Sequence, residues 1–266
     1  MKRILFVLAA VCLLLTFTVP GVSAAATVPV TVNDALIGGN SYLESGITMV
    51  PLRELCNALG GWTVSWDGSA ACAAAKTGGI ALRAVPGAST VTVNGNAVGT
   101  PKPVVLSGGR VCLPLRTVCQ ALNLSVSWNS ALGGAAVSTG KAPVYNADDL
   151  YWLSRIISAE SQGESLKGQI AVGNVVLSRV ASAEFPNTIK SVIFDTKDGT
   201  QFEPVSNKTV YNTPTPRSVA AAKAALAGTR IVGKCLYFYA PSLSQGTWIR
   251  THRTYYTTIG CHRFYL

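Results

Sequence analysis

Charge is scarce in this chain of 266 residues: Asp, Glu, Lys and Arg make up 13% of it, against 48% hydrophobic residues. That excludes a chain held open by self-repelling charge, since soluble domains average about a quarter charged. Histidine is scarcer still. The only two, His252 and His262, lie near the C-terminus, so residues 26–140 offer no imidazole to a copper ion. Acids number 12 against 22 Lys and Arg, a formal net charge of +10. No basic cluster or nucleic-acid-binding motif accompanies that excess, so nucleic acid is excluded as a partner and some other anionic polymer fits better.

Long apolar runs are also missing, with one exception at the start. Lys2 and Arg3 precede an apolar stretch over residues 4–19, broken by Pro20 and Gly21 and followed by Val22-Ser23-Ala24. A charged start, about fifteen apolar residues and a small-residue site form the layout of a secretory signal peptide, whereas a spanning helix needs about 20 residues. We read residues 1–24 as that leader, with an uncleaved anchor as the alternative. The mature chain is then expected to be exported, with no stable membrane span, and an anionic envelope polymer becomes the fitting partner.

Residues 26–140 contain a duplication. Val50-Pro51-Leu52-Arg53-Glu54-Leu55-Cys56-Asn57-Ala58-Leu59 returns as Leu113-Pro114-Leu115-Arg116-Thr117-Val118-Cys119-Gln120-Ala121-Leu122. Thr63-Val64-Ser65-Trp66 returns as Ser125-Val126-Ser127-Trp128, and Thr31-Val32-Asn33 as Thr92-Val93-Asn94. Leu52, Leu55, Cys56 and Leu59 form one apolar helical stripe, repeated by Leu115, Val118, Cys119 and Leu122. Pro51 and Pro114 suit the first helical position, which needs no backbone donor. Val91-Thr92-Val93 before Asn94-Gly95 signals a hairpin. Each half is expected to be a small α+β unit, the two packing together. Asp34, Glu44, Glu54 and Asp67 are its only acids, which suits a binding or spacer module better than an enzyme. The repeated Pro-Leu-Arg helix start and Val-Ser-Trp strand resemble the copper-amine-oxidase N-terminal-like (stalk) domain. Without histidine here, we expect no copper.

Gly140-Lys141-Ala142-Pro143 reads as a linker to a second domain over residues 146–266. A helix over residues 147–161 has an acidic first turn, Asp148 and Asp149, suited to the helix dipole. Leu150, Leu153, Ile156 and Ile157 form its apolar stripe, and Glu160 falls on the same face near the C-terminus. Burial and the negative helix end both disfavour a carboxylate there, so Glu160 is a candidate general acid. From position alone, a glutamate at a frayed helix end or one paired to a cation is the commoner case. Gly163 breaks the helix, and Ser165 caps the next one, which runs to about residue 180. Glu164, in the junction, suits a helix-start acid as well as a catalytic one. A third helix runs from Thr215-Pro216 to Gly228, and residues 235–239 and 255–266 read as closing strands.

Ile157-Ser158-Ala159-Glu160-Ser161-Gln162-Gly163-Glu164, then Gly168-Gln169-Ile170-Ala171-Val172-Gly173-Asn174-Val175-Val176-Leu177-Ser178-Arg179-Val180, resemble the SleB/CwlJ-type cell wall hydrolases, the spore-cortex-lytic enzyme family. Phe185-Pro186-Asn187-Thr188-Ile189, Gln201-Phe202, Pro214-Thr215-Pro216, Leu236-Tyr237-Phe238-Tyr239, Trp248-Ile249-Arg250 and Ile259-Gly260-Cys261-His262 continue the likeness. Two positions depart from the family's pattern: Ser178 stands where it usually has Asn, and Glu203 where Ser is common. The resemblance implies an α+β protein whose second domain is mostly helical and lysozyme-like with a small β-sheet. It implies a peptidoglycan lytic transglycosylase acting at MurNAc–GlcNAc bonds of spore cortex or cell wall, with Glu160 as general acid and base. Such an enzyme would be secreted to the wall or spore envelope, with no cofactor and no metal, and could work beside an accessory wall protein.

Tyr237, Tyr239 and Trp248 are candidate sugar-stacking faces and Gln201 a candidate acetamide partner, each equally readable as packing. Arg250 and Arg253 could meet peptide-stem carboxylates or serve as solvated charge. Two alternatives stay open: a muramidase-type hydrolase drawing a second carboxylate from Glu164 or Glu203, and a non-catalytic wall-binding protein. Of the seven cysteines, six follow the leader. Export permits disulfides, and Cys235 with Cys261 is the expected pair because each falls on a predicted closing strand. Cys56 and Cys119 are expected to be buried thiols.

Overall fold

Asn94 and Gly95 both take positive φ, 50° and 84°, as a type I′ hairpin turn requires, and Asn33 and Asp34 do the same at 47° and 69°. These turns open the two repeats. The computed structural model describes residues 26–197 and 199–266, and the expected leader lies outside them. In chain order the N-terminal half runs β1 (Val30–Val32), β2 (Ala35–Leu36), β3 (Tyr42–Glu44), β4 (Ile47–Pro51), α1 (Leu52–Leu59), β5 (Thr63–Asp67), β6 (Cys72–Thr77) and β7 (Ile80–Ala84). It continues through β8 (Thr90–Val93), β9 (Asn96–Gly99), β10 (Val105–Ser107), β11 (Arg110–Pro114), α2 (Leu115–Ala121), β12 (Ser125–Asn129) and β13 (Gly134–Ser138).

The repeats are not two separate units packed side by side, as their sequences suggest; they interlock. The first strand of repeat one, β1, pairs in parallel with the last strand of repeat two in the sheet β12-β13-β1-β2. The end of repeat one and the start of repeat two share β5-β6-β7-β8-β9, and the central hairpins meet as β10-β11-β4-β3. There Leu113 faces its own repeat counterpart Val50, with Cys112 on Pro51 and Pro114 on Met49. That register is a local pseudo-twofold axis. The physical reason for interlocking is burial: β1 and β2 are too short to make a sheet alone, and Val30 and Val32 join Leu52, Leu55, Leu113, Leu115 and Val137 in one core.

Pro51 and Pro114 end the strands and stand at the N-cap, φ −65° and −61° with extended ψ, so each helix begins one residue later than the sequence suggests. The apolar stripe is as expected, with Leu52, Leu55 and Cys56 buried, and Leu115, Val118 and Cys119 likewise.

The C-terminal half contains α3 (Ala147–Ser161), α4 (Leu166–Val180), α5 (Ile189–Ile193), α6 (Glu203–Ser206), a 3-10 turn (Thr209–Tyr211) and α7 (Pro216–Leu226). Strand β14 (Tyr237–Tyr239), α8 (Thr247–His252), β15 (Tyr255–Ile259) and β16 (His262–Tyr265) follow. The three long helices start where their caps direct: Asn146, Ser165 and Thr215 side chains accept the N–H groups of Asp149, Gly168 and Ser218. Leu153, Ile156 and Ile157 of α3 share one buried core with Ile170, Val172 and Val176 of α4 and the small side chains Ala221, Ala222 and Ala225 of α7. At Gly173 an added Cβ would lie 2.8 Å from Ile157 Cδ1, so glycine there sets the α3–α4 distance. The sheet β14-β16-β15 adds Phe264 to that core.

The two halves touch. Leu36 packs against the helical core and donates its N–H to Thr229 Oγ1 at 2.9 Å, and Tyr145 donates its hydroxyl to Asp34 Oδ2 at 2.8 Å.

The expected Cys235–Cys261 disulfide is corrected. Among the described residues all six cysteines are free thiols, Cys235 buried and Cys261 exposed. Cys235 precedes β14, beside the Tyr265 end of β16, whereas Cys261 sits in the turn that begins β16. The length of β16 lies between them, about 13 Å at the usual rise per residue, and a disulfide tolerates about 7 Å between Cα atoms.

Candidate active site

The stripe of α3 that buries Ile156 and Ile157 carries Glu160 with it into the last turn of the helix, where the side chain is partly buried. Loss of solvent is the main reason its carboxyl holds a proton, with the pKa pushed up to about 7. The negative charge of Glu203 pushes the same way and Arg179 opposes both. Glu203 itself is exposed, at the first position of α6. A carboxyl that gives up its proton near neutrality can both donate and retrieve one in a single turnover.

Arg179 is the hub of this region. It sits near the C-terminus of α4, and burial lowers its pKa to about 10. Its Nε donates to the Leu236 carbonyl at 2.8 Å and its Nη1 to Gln201 Oε1 at 3.3 Å. The guanidinium lies against the rings of Phe185, Phe202 and Tyr237, at 4.8, 5.1 and 5.5 Å. One buried cation thereby gathers α4, the loop before α6 and the strand β14 around Glu160. Beyond it, Arg253 donates to the Tyr237 hydroxyl at 2.6 Å and lies near Trp248, which is 52% exposed with one face stacked on His252.

Glu164 is employed elsewhere. Its side chain is only 11% exposed, and Oε1 accepts the Cys261 backbone N–H at 3.1 Å. Gly260, at φ 57°, leaves the space its carboxylate occupies, since a Cβ at that position would overlap Oε2. His262 Nδ1 lies 3.7 Å from the same carboxylate, but burial lowers the imidazole pKa more than Glu164 raises it. At neutral pH the contact is therefore not an ion pair. Glu164 fastens the β15–β16 turn to the start of α4.

The residues singled out from the sequence divide accordingly. Gln201, Tyr237 and Trp248 are linked to one another through Arg179 and Arg253, and Glu160 feels the charges of Glu203 and Arg179. Tyr239 is 8% exposed, stacked on Tyr265 with Gly246 pressed against its ring, and it packs. Arg250 is exposed. Ser178 reaches the Gly233 carbonyl over a long 3.4 Å at the surface. Three polar residues stood in the sequence without an assigned role: Arg179, Gln169 and Asn174. Gln169 ties the α3–α4 junction, donating to the Gln162 and Glu164 carbonyls and accepting from Ser218. Asn174 donates to Thr229 O and accepts from Ile231 N–H at 2.8 and 2.6 Å. Their one signal was polarity inside an apolar helical stripe. Among the described residues no three His, Cys, Asp or Glu side chains converge as a metal site would need.

Residues 163–265 match the Cell Wall Hydrolase family, and residues 31–137 match the Copper amine oxidase N-terminal domain family. The first span begins three residues beyond Glu160. A spore cortex-lytic enzyme of Bacillus cereus is 36% identical over 120 residues, 45% of each chain. One from Oceanobacillus iheyensis is 30% identical over 138 residues, 50% of this chain and 49% of that one. This chain thus spans about half the length of the curated relatives it matches. The solved catalytic domain of the germination-specific lytic transglycosylase SleB from Bacillus anthracis is 34% identical, with a TM-score of 0.43, covering 47% of this chain and 100% of that one.

Proposed function

We propose that this chain, which carries a cell wall hydrolase domain behind a copper amine oxidase N-terminal domain, cleaves the glycan strand of peptidoglycan by lytic transglycosylation. Glu160 is its general acid and base, and the reading is carried by its place in the last turn of α3, partly buried, where loss of solvent pushes its pKa up to about 7. The protonated carboxyl donates to the glycosidic oxygen between MurNAc and GlcNAc as the C1–O bond breaks and C1 gains oxocarbenium character. The carboxylate left behind takes the proton of the muramyl C6 hydroxyl as that oxygen bonds to C1. The products are a 1,6-anhydro end and a free hydroxyl on the leaving sugar, and Glu160 ends protonated as it began.

This route needs one carboxyl, which suits a site where Glu164 is already committed to a turn. Trp248, half open to solvent, offers a face for a sugar ring, with Tyr237 and Gln201 beside it held by Arg253 and Arg179. Hydrolysis is the second reading, favoured by the charge of Glu203 felt at Glu160; it would place a carboxylate about 5–9.5 Å from the acid to activate water or attack C1. The relatives' names point to spore cortex as the peptidoglycan in question. We place the enzyme outside the membrane, at the wall or spore envelope.

Purified protein incubated with peptidoglycan, followed by mass analysis of released sugars, tests the proposal. Anhydro ends support it, reducing ends would move the reaction to hydrolysis, and no products would remove the enzyme assignment.

A further inference from the structure

The N-terminal half has two grooves that are copies of each other. One, of about 410 Å³, is lined by Leu52, Arg53, Val64, Ser65, Trp66 and Ala73, closed on its far side by the β10–β11 hairpin of repeat two. The other, of about 440 Å³, is lined by the repeat counterparts Leu115, Arg116, Val126, Ser127, Trp128 and Ala135, closed by the β3–β4 hairpin of repeat one. The pseudo-twofold axis between Val50 and Leu113 exchanges the two.

What the duplication has kept within these grooves is informative. Glu54 has become Thr117 and Arg110 answers to Ile47, so the Glu54–Arg110 ion pair at 3.0 Å exists in the first groove only. Trp, Arg and Ser are retained in both. The two indoles stand on edge strands, β5 and β12, with the same alternation of burial along the strand. They are 48% and 52% exposed. Each indole thus leaves about half its surface open to solvent within a concavity, at the same place in both copies. Arg53 and Arg116 are exposed and form no ion pair among the described residues.

We propose that these are two glycan-binding grooves, each holding a pyranose ring of a peptidoglycan strand against its indole. The apolar C–H face of a sugar matches the flat indole, and Arg53 and Arg116 suit the carboxylates of a lactyl group or peptide stem. The ligand class rests on the peptidoglycan reading of the other half; the grooves themselves do not.

The test is co-sedimentation of the full chain with insoluble purified peptidoglycan at low and high salt, alongside sugar release from soluble glycan fragments. Trp66→Ala and Trp128→Ala should each weaken sedimentation about 3- to 10-fold, the scale of one lost aromatic contact. The double variant should lose more than either, and Trp→Phe at both sites should restore part of it. Release from soluble fragments, read on the other half, should be unchanged in all. Sedimentation that survives the double substitution, or that high salt abolishes equally in every variant, overturns the grooves as sugar sites and marks charge adhesion alone. If no variant releases sugar but the tryptophan series still sets sedimentation, the enzymatic proposal fails and the grooves stand.

Discussion

The Glu164 carboxylate accepts the backbone N–H of Cys261 across 3.1 Å, joining the start of α4 to a hairpin turn 97 residues further along the chain. Gly260 makes the contact feasible, by its positive φ and by the missing Cβ. Gly260→Ala should lower stability by about 1–3 kcal/mol, the scale of a strained left-handed residue, read as a drop in denaturant midpoint. An alanine variant as stable as the parent would mean the carboxylate does not occupy that space.

Glu160→Gln should reduce sugar release by about 10²–10⁴-fold, the usual contribution of a positioned acid and base, while sedimentation with peptidoglycan persists. In the parent, acid catalysis should fall as pH rises through about 7, where the group loses its proton. An active glutamine variant ends the assignment.

The same proton bears on stability. The folded pKa of Glu160, about 7, exceeds the ordinary 4.5, so the native state binds the proton more tightly than the unfolded chain does. Its contribution is present in full below the unfolded value and is lost as pH rises through the folded one. Glu160→Gln should flatten that part of the curve of melting temperature against pH. A parallel curve would show that the carboxyl is not raised.

Glu203→Ser removes a negative charge that holds the Glu160 proton on. The alkaline limb of the pH–rate profile should move to lower pH with the anhydro product unchanged. Loss of activity at every pH would instead make Glu203 a reacting group.

Asn174→Ala leaves the Thr229 carbonyl and the Ile231 N–H without their side-chain partner in the interior. Each buried orphan costs about 1–3 kcal/mol, so chemical denaturation should show a loss of about 2 kcal/mol or more. Reductant, by contrast, should leave the melting temperature of the parent where it is, because Cys235 and Cys261 are unpaired.

The elements legible in the sequence were those specified locally. Asn146, Ser165 and Thr215 announce their helices through their own side chains, and Asn94-Gly95 dictates its hairpin. The partial burial of Glu160 could be read because a helical stripe sets both that burial and its place at the negative helix end. Arg179 could not, since its partners Leu236 and Gln201 belong to segments that only tertiary packing brings together. Glu164 was ambiguous for the same reason: nothing near it in the chain foretells Cys261. The interlocking of the repeats was hidden too, because sequence similarity reveals that two segments are alike without revealing which strands they exchange.

That exchange makes the duplicated half indivisible. A fragment ending after β7 would strand β1 and β2 without β13, and one beginning at β8 would leave β13 with an empty flank where β1 belongs. Each exposed edge would invite pairing with another molecule. The smallest inheritable piece is therefore both copies together, and shuffling single repeats between proteins should produce aggregates instead of modules.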